Sequence, residues 1–108
     1  MSDAVAQFHV YRNLDPSSRK RFPFLLDVQS DLLESLATCV VVPLGETDSK
    51  RPVVTGLMPV FEIDGRPVVM RTSEITGIAR RIVGEPIASL EHRRHEIIAA
   101  LDVLISGV

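Results

Sequence analysis

The chain has one cysteine, Cys39, and no tryptophan. A single thiol excludes an internal disulfide and any zinc site built on paired thiolates, and it fits a reducing compartment. Cys39 stands in the apolar run Cys39-Val40-Val41-Val42, where a small buried hydrophobe is expected rather than a nucleophile. Positive charge is not in excess either: twelve Lys and Arg face fourteen Asp and Glu, for a formal charge of −2 and a pI of about 5.9. Phosphate backbones call for a basic face, so direct nucleic-acid binding by the chain alone is not expected. The short runs Arg19-Lys20-Arg21, Arg80-Arg81 and Arg93-Arg94 read as solvated surface. No apolar run reaches membrane-spanning length, and the first residues show neither a basic n-region nor an apolar h-region. A cytoplasmic protein without a membrane partner is expected. Gly-rich phosphate loops, internal repeats and low-complexity stretches are all missing, and no cofactor is expected.

What is present is an ordinary globular composition over 108 residues, 45% apolar and 24% charged. That length suits one domain over 1–108, with 1–6 as a loose lead-in. Gln7 to Arg12 alternates, Phe8 and Val10 on one face, His9 and Tyr11 on the other, as a half-buried strand does. Asn13 to Arg21 is polar and reads as a mobile loop. Phe22 to Gln29 forms a second strand, broken at Ser30 to Glu34, where the adjacent Leu32 and Leu33 cannot both face inward. Thr38 to Leu44 is β-branched and reads as a central strand, with Pro43 marking its end. Asp64-Gly65 between Pro59–Ile63 and Arg66–Met70 predicts a two-residue hairpin. Thr72 to Gly77 is undecided. Ile78 to Val83 is a short strand or a helical turn, ended by Gly84 and Pro86. From about Ser89 the period becomes helical: Ile97, Ala100, Leu101 and Leu104 make one stripe, which Ile98 and Ile105 widen. Ser89 and Glu91 are candidate N-caps, and Gly107 ends the helix. Strands first and one helix last predict a mainly β fold, an antiparallel sheet or partly open barrel closed by a C-terminal helix.

Catalytic and metal chemistry is thin. His92 and His95 are three apart on the predicted helix and share an edge, but two ligands without a third make a poor metal site. His9 with Asp27, Arg12 and Arg71 offers the residue types of a ribonuclease, yet no spacing singles them out. No catalytic residue and no metal ligand is assigned, and the chain is expected to act by binding rather than as an enzyme. The more informative feature is the end, Leu104-Ile105-Ser106-Gly107-Val108, apolar and uncharged. Such a tip is covered by the protein's own core, by a second copy or by a partner.

Three stretches resemble the CcdB family of toxins from type II toxin–antitoxin modules: Gln7-Phe8-His9-Val10-Tyr11, the segment Leu26-Asp27-Val28-Gln29-Ser30-Asp31-Leu32-Leu33 with its DVQSD core, and Ile82-Val83-Gly84-Glu85 with Leu90, His92-Arg93 and the helix to Gly107-Val108. Val42-Pro43-Leu44 and Arg51 to Met70 fit between them in order. The resemblance implies a homodimer with an SH3-like barrel of the CcdB/PemK type. It implies a toxin that binds the A subunit of DNA gyrase and stabilises its cleaved-DNA complex. A CcdA-like antitoxin would neutralise it by folding a disordered segment onto it, and operator DNA would be bound only together with that antitoxin. By position, the gyrase-facing residues would be Leu32, Leu33, Asp102, Ile105, Ser106, Gly107 and Val108.

The resemblance has two departures. Where the family carries a tryptophan near its end, this chain has Ser106, and Val108 replaces the usual isoleucine. Losing an aromatic anchor typically costs roughly 2–4 kcal/mol of binding. Two alternatives therefore stand beside the gyrase poison. One is a protein of this fold that binds antitoxin but no longer poisons gyrase. The other is a ribonuclease toxin of the same fold. The loop Asn13 to Arg21 is longer than the family's.

Overall fold

The computed structural model describes residues 6–47 and 50–107. Seven strands form one antiparallel sheet: β1 (His9–Asn13), β2 (Phe24–Asp27), β3 (Thr38–Glu46), β4 (Val60–Ile63), β5 (Arg66–Met70), β6 (Thr76–Ala79) and β7 (Val83–Ser89), followed by the helix α1 (Arg94–Ser106). Neighbours run β4-β5-β3-β2-β1-β7, and β6 also pairs with β3. The expected mainly β fold with one terminal helix is what forms.

β3 organises the sheet. One edge pairs with β2, from Val41 to Leu44. The other edge is shared: Thr38 to Val41 pair with β6, and Leu44 to Glu46 pair with β5. Pro43 sits at that fork, inside the strand rather than at its end as the sequence suggested. Its carbonyl accepts the Arg71 N–H at 3.0 Å, on the forked edge. In a strand, N–H and C=O of one residue point to the same side, so the missing N–H of Pro43 also faces the fork. Proline is tolerated there because no ladder bond is lost. Splitting one edge between two partners curls the sheet into an open half-barrel.

The curl gives two apolar clusters. Val10, Phe24, Leu26, Val42 and Leu44 face the larger one, closed by Phe61, Val68 and Met70 of the hairpin and by Ile97 and Ala100 of α1. Tyr11, Leu25, Cys39 and Val41 point the other way and are covered by Ile78 and Val83. The second face of β1 is thus not a solvent face, and Tyr11 is buried. β1 starts at His9 because Phe8 takes a left-handed backbone, φ 67°, which tips its ring into the main core.

The Asp64-Gly65 turn has φ of 56° and 77°, the two positive values that such a hairpin needs. Gly84 and Pro86 do not stop the chain: β7 runs through both as an edge strand, with register shifts against β1. A Cβ at Gly84 would lie 2.8 Å from the Arg12 carbonyl oxygen, so only glycine lets the strands approach. The stretch 13–21 is a hydrogen-bonded turn, in which Asn13 donates to Ser18 Oγ at 3.0 Å and to the Phe22 carbonyl at 2.8 Å.

α1 begins later than expected. Ser89 ends β7, Glu91–Arg93 is a 3-10 turn, and the helix starts at Arg94 with no side-chain cap bond. Ser89 Oγ accepts the Glu91 N–H at 3.3 Å and so serves the 3-10 turn instead. Ile98 and Ile105 lie outside the buried stripe, 38% and 80% exposed. Leu26→Ala, in the filled main core, is expected to cost about 2–5 kcal/mol. Ile105→Ala is expected to change stability by less than about 0.5 kcal/mol. Urea unfolding midpoints of the two variants check this contrast.

Candidate functional site: the exposed helix tip and the DVQSD latch

The last turn of α1 projects into solvent. Asp102, Ile105, Ser106 and Gly107 are exposed, and the Gly107 N–H closes the helix onto the Val103 carbonyl at 3.0 Å with Gly107 in the left-handed region, φ 74°. Val108 lies outside the described residues. Val103 and Leu104 are only half-buried, so the tip offers an apolar collar around Ile105.

Leu32 and Leu33 lie elsewhere. They form the 3-10 turn Asp31–Leu33, 92% and 46% exposed. Asp31 lines one cleft with Phe8, Glu91 and Arg94, which places this turn at the start of α1. Thirteen helical residues rise ~20 Å, so within one chain Leu32 and Ile105 are at opposite ends of the helix. The six described residues of those assigned by position therefore form two patches, not one.

The DVQSD segment itself is a latch. Asp27 Oδ1 accepts the Gln29 N–H at 2.8 Å and the Cys39 thiol at 3.2 Å. Gln29 Oε1 accepts the Val40 N–H at 3.1 Å, and its Nε2 donates to the Leu33 and Thr38 carbonyls at 3.3 Å. Ser30 Oγ accepts the Leu32 N–H at 3.2 Å, and Asp31 Oδ1 accepts the Gln7 N–H at 2.8 Å. Each polar side chain of the segment holds backbone, and together they present Leu32 to solvent. Burial pushes the Asp27 carboxyl above its ordinary range, against the pull of the Gln29 N–H. The Cys39 thiol is pushed up to about 12 by burial and by its bond to Asp27, which leaves it protonated and unreactive.

Two basic residues read as solvated surface are structural instead. Arg80 donates from Nε to the Leu36 carbonyl at 2.6 Å and from Nη2 to the Leu33 carbonyl at 3.3 Å, pinning the turn after Asp31–Leu33. Arg93 forks onto Glu96 and stacks 4.8 Å over the Phe61 ring. Sequence reasoning missed both: the carbonyls that Arg80 reaches and the ring under Arg93 are remote in the chain, and only Glu96 is a local partner.

The ribonuclease candidates make no hydrogen bond or ion pair with one another. His9 Nδ1 lies 3.2 Å from the Gln7 carbonyl and 3.9 Å from Glu91. Arg12 pairs with Glu85 at 3.0 Å, Asp27 is buried in the latch, and Arg71 is buried beside Pro52. His92 and His95 are exposed, and among the described residues no group of three metal-ligating side chains occurs.

A family model described as CcdB protein matches residues 7–107. The chain belongs to the CcdB family. Solved structures with the same fold include an endoribonuclease in complex with its cognate antitoxin from a mycobacterial species. It is 18% identical, with a TM-score of 0.73 over 94% of this chain and 95% of that one. A second, an endoribonuclease from a mycobacterial species, is 17% identical, with a TM-score of 0.69 over 97% and 94%. These likenesses show the fold. They also correct the expectation of a non-enzyme, which rested on the absence of an evident catalytic cluster: proteins with this CcdB-family chain's architecture are named endoribonucleases, so that absence excludes nothing.

The latch makes a pH prediction. A folded carboxyl with a raised pKa keeps its proton where the unfolded chain has lost it, so stability declines as pH rises through that window. Asp27→Asn keeps an Oδ1 acceptor for Gln29 and Cys39 but does not titrate. Relative to this variant, the wild type is expected to gain stability on going from pH 7 down to pH ~4. Paired urea titrations at the two pH values read the difference, and a gain in the opposite direction contradicts the assignment.

Proposed function

We propose that this chain is the toxin of a type II toxin–antitoxin module, a cytoplasmic homodimer held inactive by an antitoxin and acting by gripping the A subunit of DNA gyrase with the tip of α1. Membership of the CcdB family supports the toxin role. The observation that carries the gripping site is Ile105, 80% exposed on the last turn beside Gly107. An apolar side chain held out by a capped helix loses little entropy on docking, and its half-buried neighbours Val103 and Leu104 exclude water around it. Ser106 offers less contact area than an aromatic anchor, so the grip rests on Ile105 and on close approach at Gly107.

A second reading is an endoribonuclease toxin, favoured by the names of two proteins with this fold, one of them solved with its cognate antitoxin. Induced expression in a gyrase-sensitive bacterium separates the two. Growth arrest with double-strand DNA breaks supports the gyrase grip, and arrest with cleaved RNA and intact DNA supports the ribonuclease. Ile105→Asp is expected to weaken binding of the purified A subunit by at least about tenfold, and Ser106→Trp to strengthen it. Surface plasmon resonance measures both, and affinities unchanged in both variants would place the contact elsewhere.

A further inference from the structure

The acidic balance of the whole chain hides a basic cleft at one end of the sheet. Lys20, Arg21, Arg51 and Arg71 line an opening of about 310 Å³, together with Gly45, Glu46 and Thr47 at the end of β3. Arg71 is its buried wall, only 3% exposed. The Arg71 Nη1 donates to the Pro52 carbonyl at 3.0 Å and lies 3.6 Å from Met58 Sδ, which fixes the guanidinium plane. Its Nε and Nη2 are buried and have no hydrogen-bond partner. These two atoms carry the parallel N–H groups of one guanidinium edge, the edge that binds an oxyanion with two bonds. Guanidinium does not lose its charge, so burial without a carboxylate leaves a strong electrostatic demand for an anion.

Among the described residues, acidic side chains around the cleft do not meet that demand. Glu46 is paired with Arg66 at 3.1 Å, and Glu74 with Arg51 at 2.7 Å. Among the described residues no carboxylate pairs with Lys20, Arg21 or Arg71. Arg21 is held near the rim by stacking 4.6 Å over Phe22.

We propose that this cleft is a phosphate-binding site, in which the unpartnered edge of Arg71, covered from solvent in this structure, is uncovered to take two oxygens of a phosphate and Lys20 and Arg21 take the outward-facing ones. A carboxylate on that edge has no oxygen beyond the two that face Arg71, whereas a phosphate has further oxygens that face the rim cations. The ligand is free phosphate or a phosphodiester of single-stranded nucleic acid, which share this chemistry. The site is independent of the gyrase grip, since it uses no residue of α1.

Titration of the full-length protein with inorganic phosphate, against chloride at equal ionic strength, is expected to raise Tm. The paired variants are Arg71→Lys, which keeps the charge but loses the two-bond edge, and the surface double variant Lys20→Gln/Arg21→Gln, which leaves the buried wall intact. Arg71→Lys is expected to weaken phosphate binding at least about fivefold. The double variant is expected to weaken it as well, and it carries the test if the first does not fold. Ile105→Asp is expected to bind phosphate as the wild type does. A labelled hexaribonucleotide that phosphate displaces identifies the phosphodiester source, with a salt slope lowered by roughly 1.4 in the double variant. Phosphate binding without ribonucleotide binding identifies the free ion. The proposal is overturned by equal Tm in phosphate and chloride, by both variants binding phosphate like the wild type, or by an acidic peptide that binds there and that phosphate does not displace.

Discussion

The fold turns on the forked edge of β3. One nine-residue strand serves β6 with its first half and β5 with its second, and Pro43 stands where the two partners part. The absent N–H of proline makes that gap free of cost, and the Arg71 N–H uses the carbonyl on the same side. Without the fork β3 would keep one partner along that whole edge. With it, the sheet curls, Val42 and Leu44 turn to the hairpin and α1, and Cys39 and Val41 turn to Ile78 and Val83. The same corner brings Arg71 under the end of β3, where its guanidinium borders the basic cleft.

The segment that most clearly ties the chain to its family turns out to be architectural. Asp27, Gln29, Ser30 and Asp31 spend their hydrogen bonds on backbone groups of Gln7 ahead of β1, of β3 and of the turn between β2 and β3, and Asp27 also takes the Cys39 thiol. Family membership and mode of action therefore rest on different residues: the latch marks the fold, and the helix tip carries the proposed contact. That separation is the physical reason a chain can keep the fold while a single position such as Ser106 changes the surface of the helix tip.

Features governed by local chemistry were legible in the sequence. Asp64-Gly65 needs positive φ at both residues and so declares its turn, and Gly107 declares the helix end. The alternation of Val10 and Tyr11 placed β1 but not the burial of its second face, where Tyr11 packs with Leu25, Cys39 and Val41. What was hidden depends on remote partners. β6 and β7 are short or edge strands interrupted by Gly77, Gly84 and Pro86, and only pairing with β3 and β1 makes them strands. Ser89 looks like a helix cap but is drawn into β7. Arg80 and Arg93 look solvated but reach carbonyls and a ring far along the chain. For the candidate site, the need of an apolar, uncharged end for a cover followed from the sequence; that Ile105 and Ser106 stand exposed did not, since packing into the chain's own core was left open. The distance between that end and Leu32 did not, because it is set by where the β2–β3 turn meets α1.

The central claim is that the last turn of α1 is the surface that meets the target. Amide hydrogen exchange of the full chain, with and without the gyrase A subunit, tests it most directly. The account predicts slowed exchange over 102–107, with the hairpin turn at Asp64-Gly65 unchanged. Slowed exchange confined to other parts of the chain, with the helix tip untouched in a demonstrated complex, would contradict it.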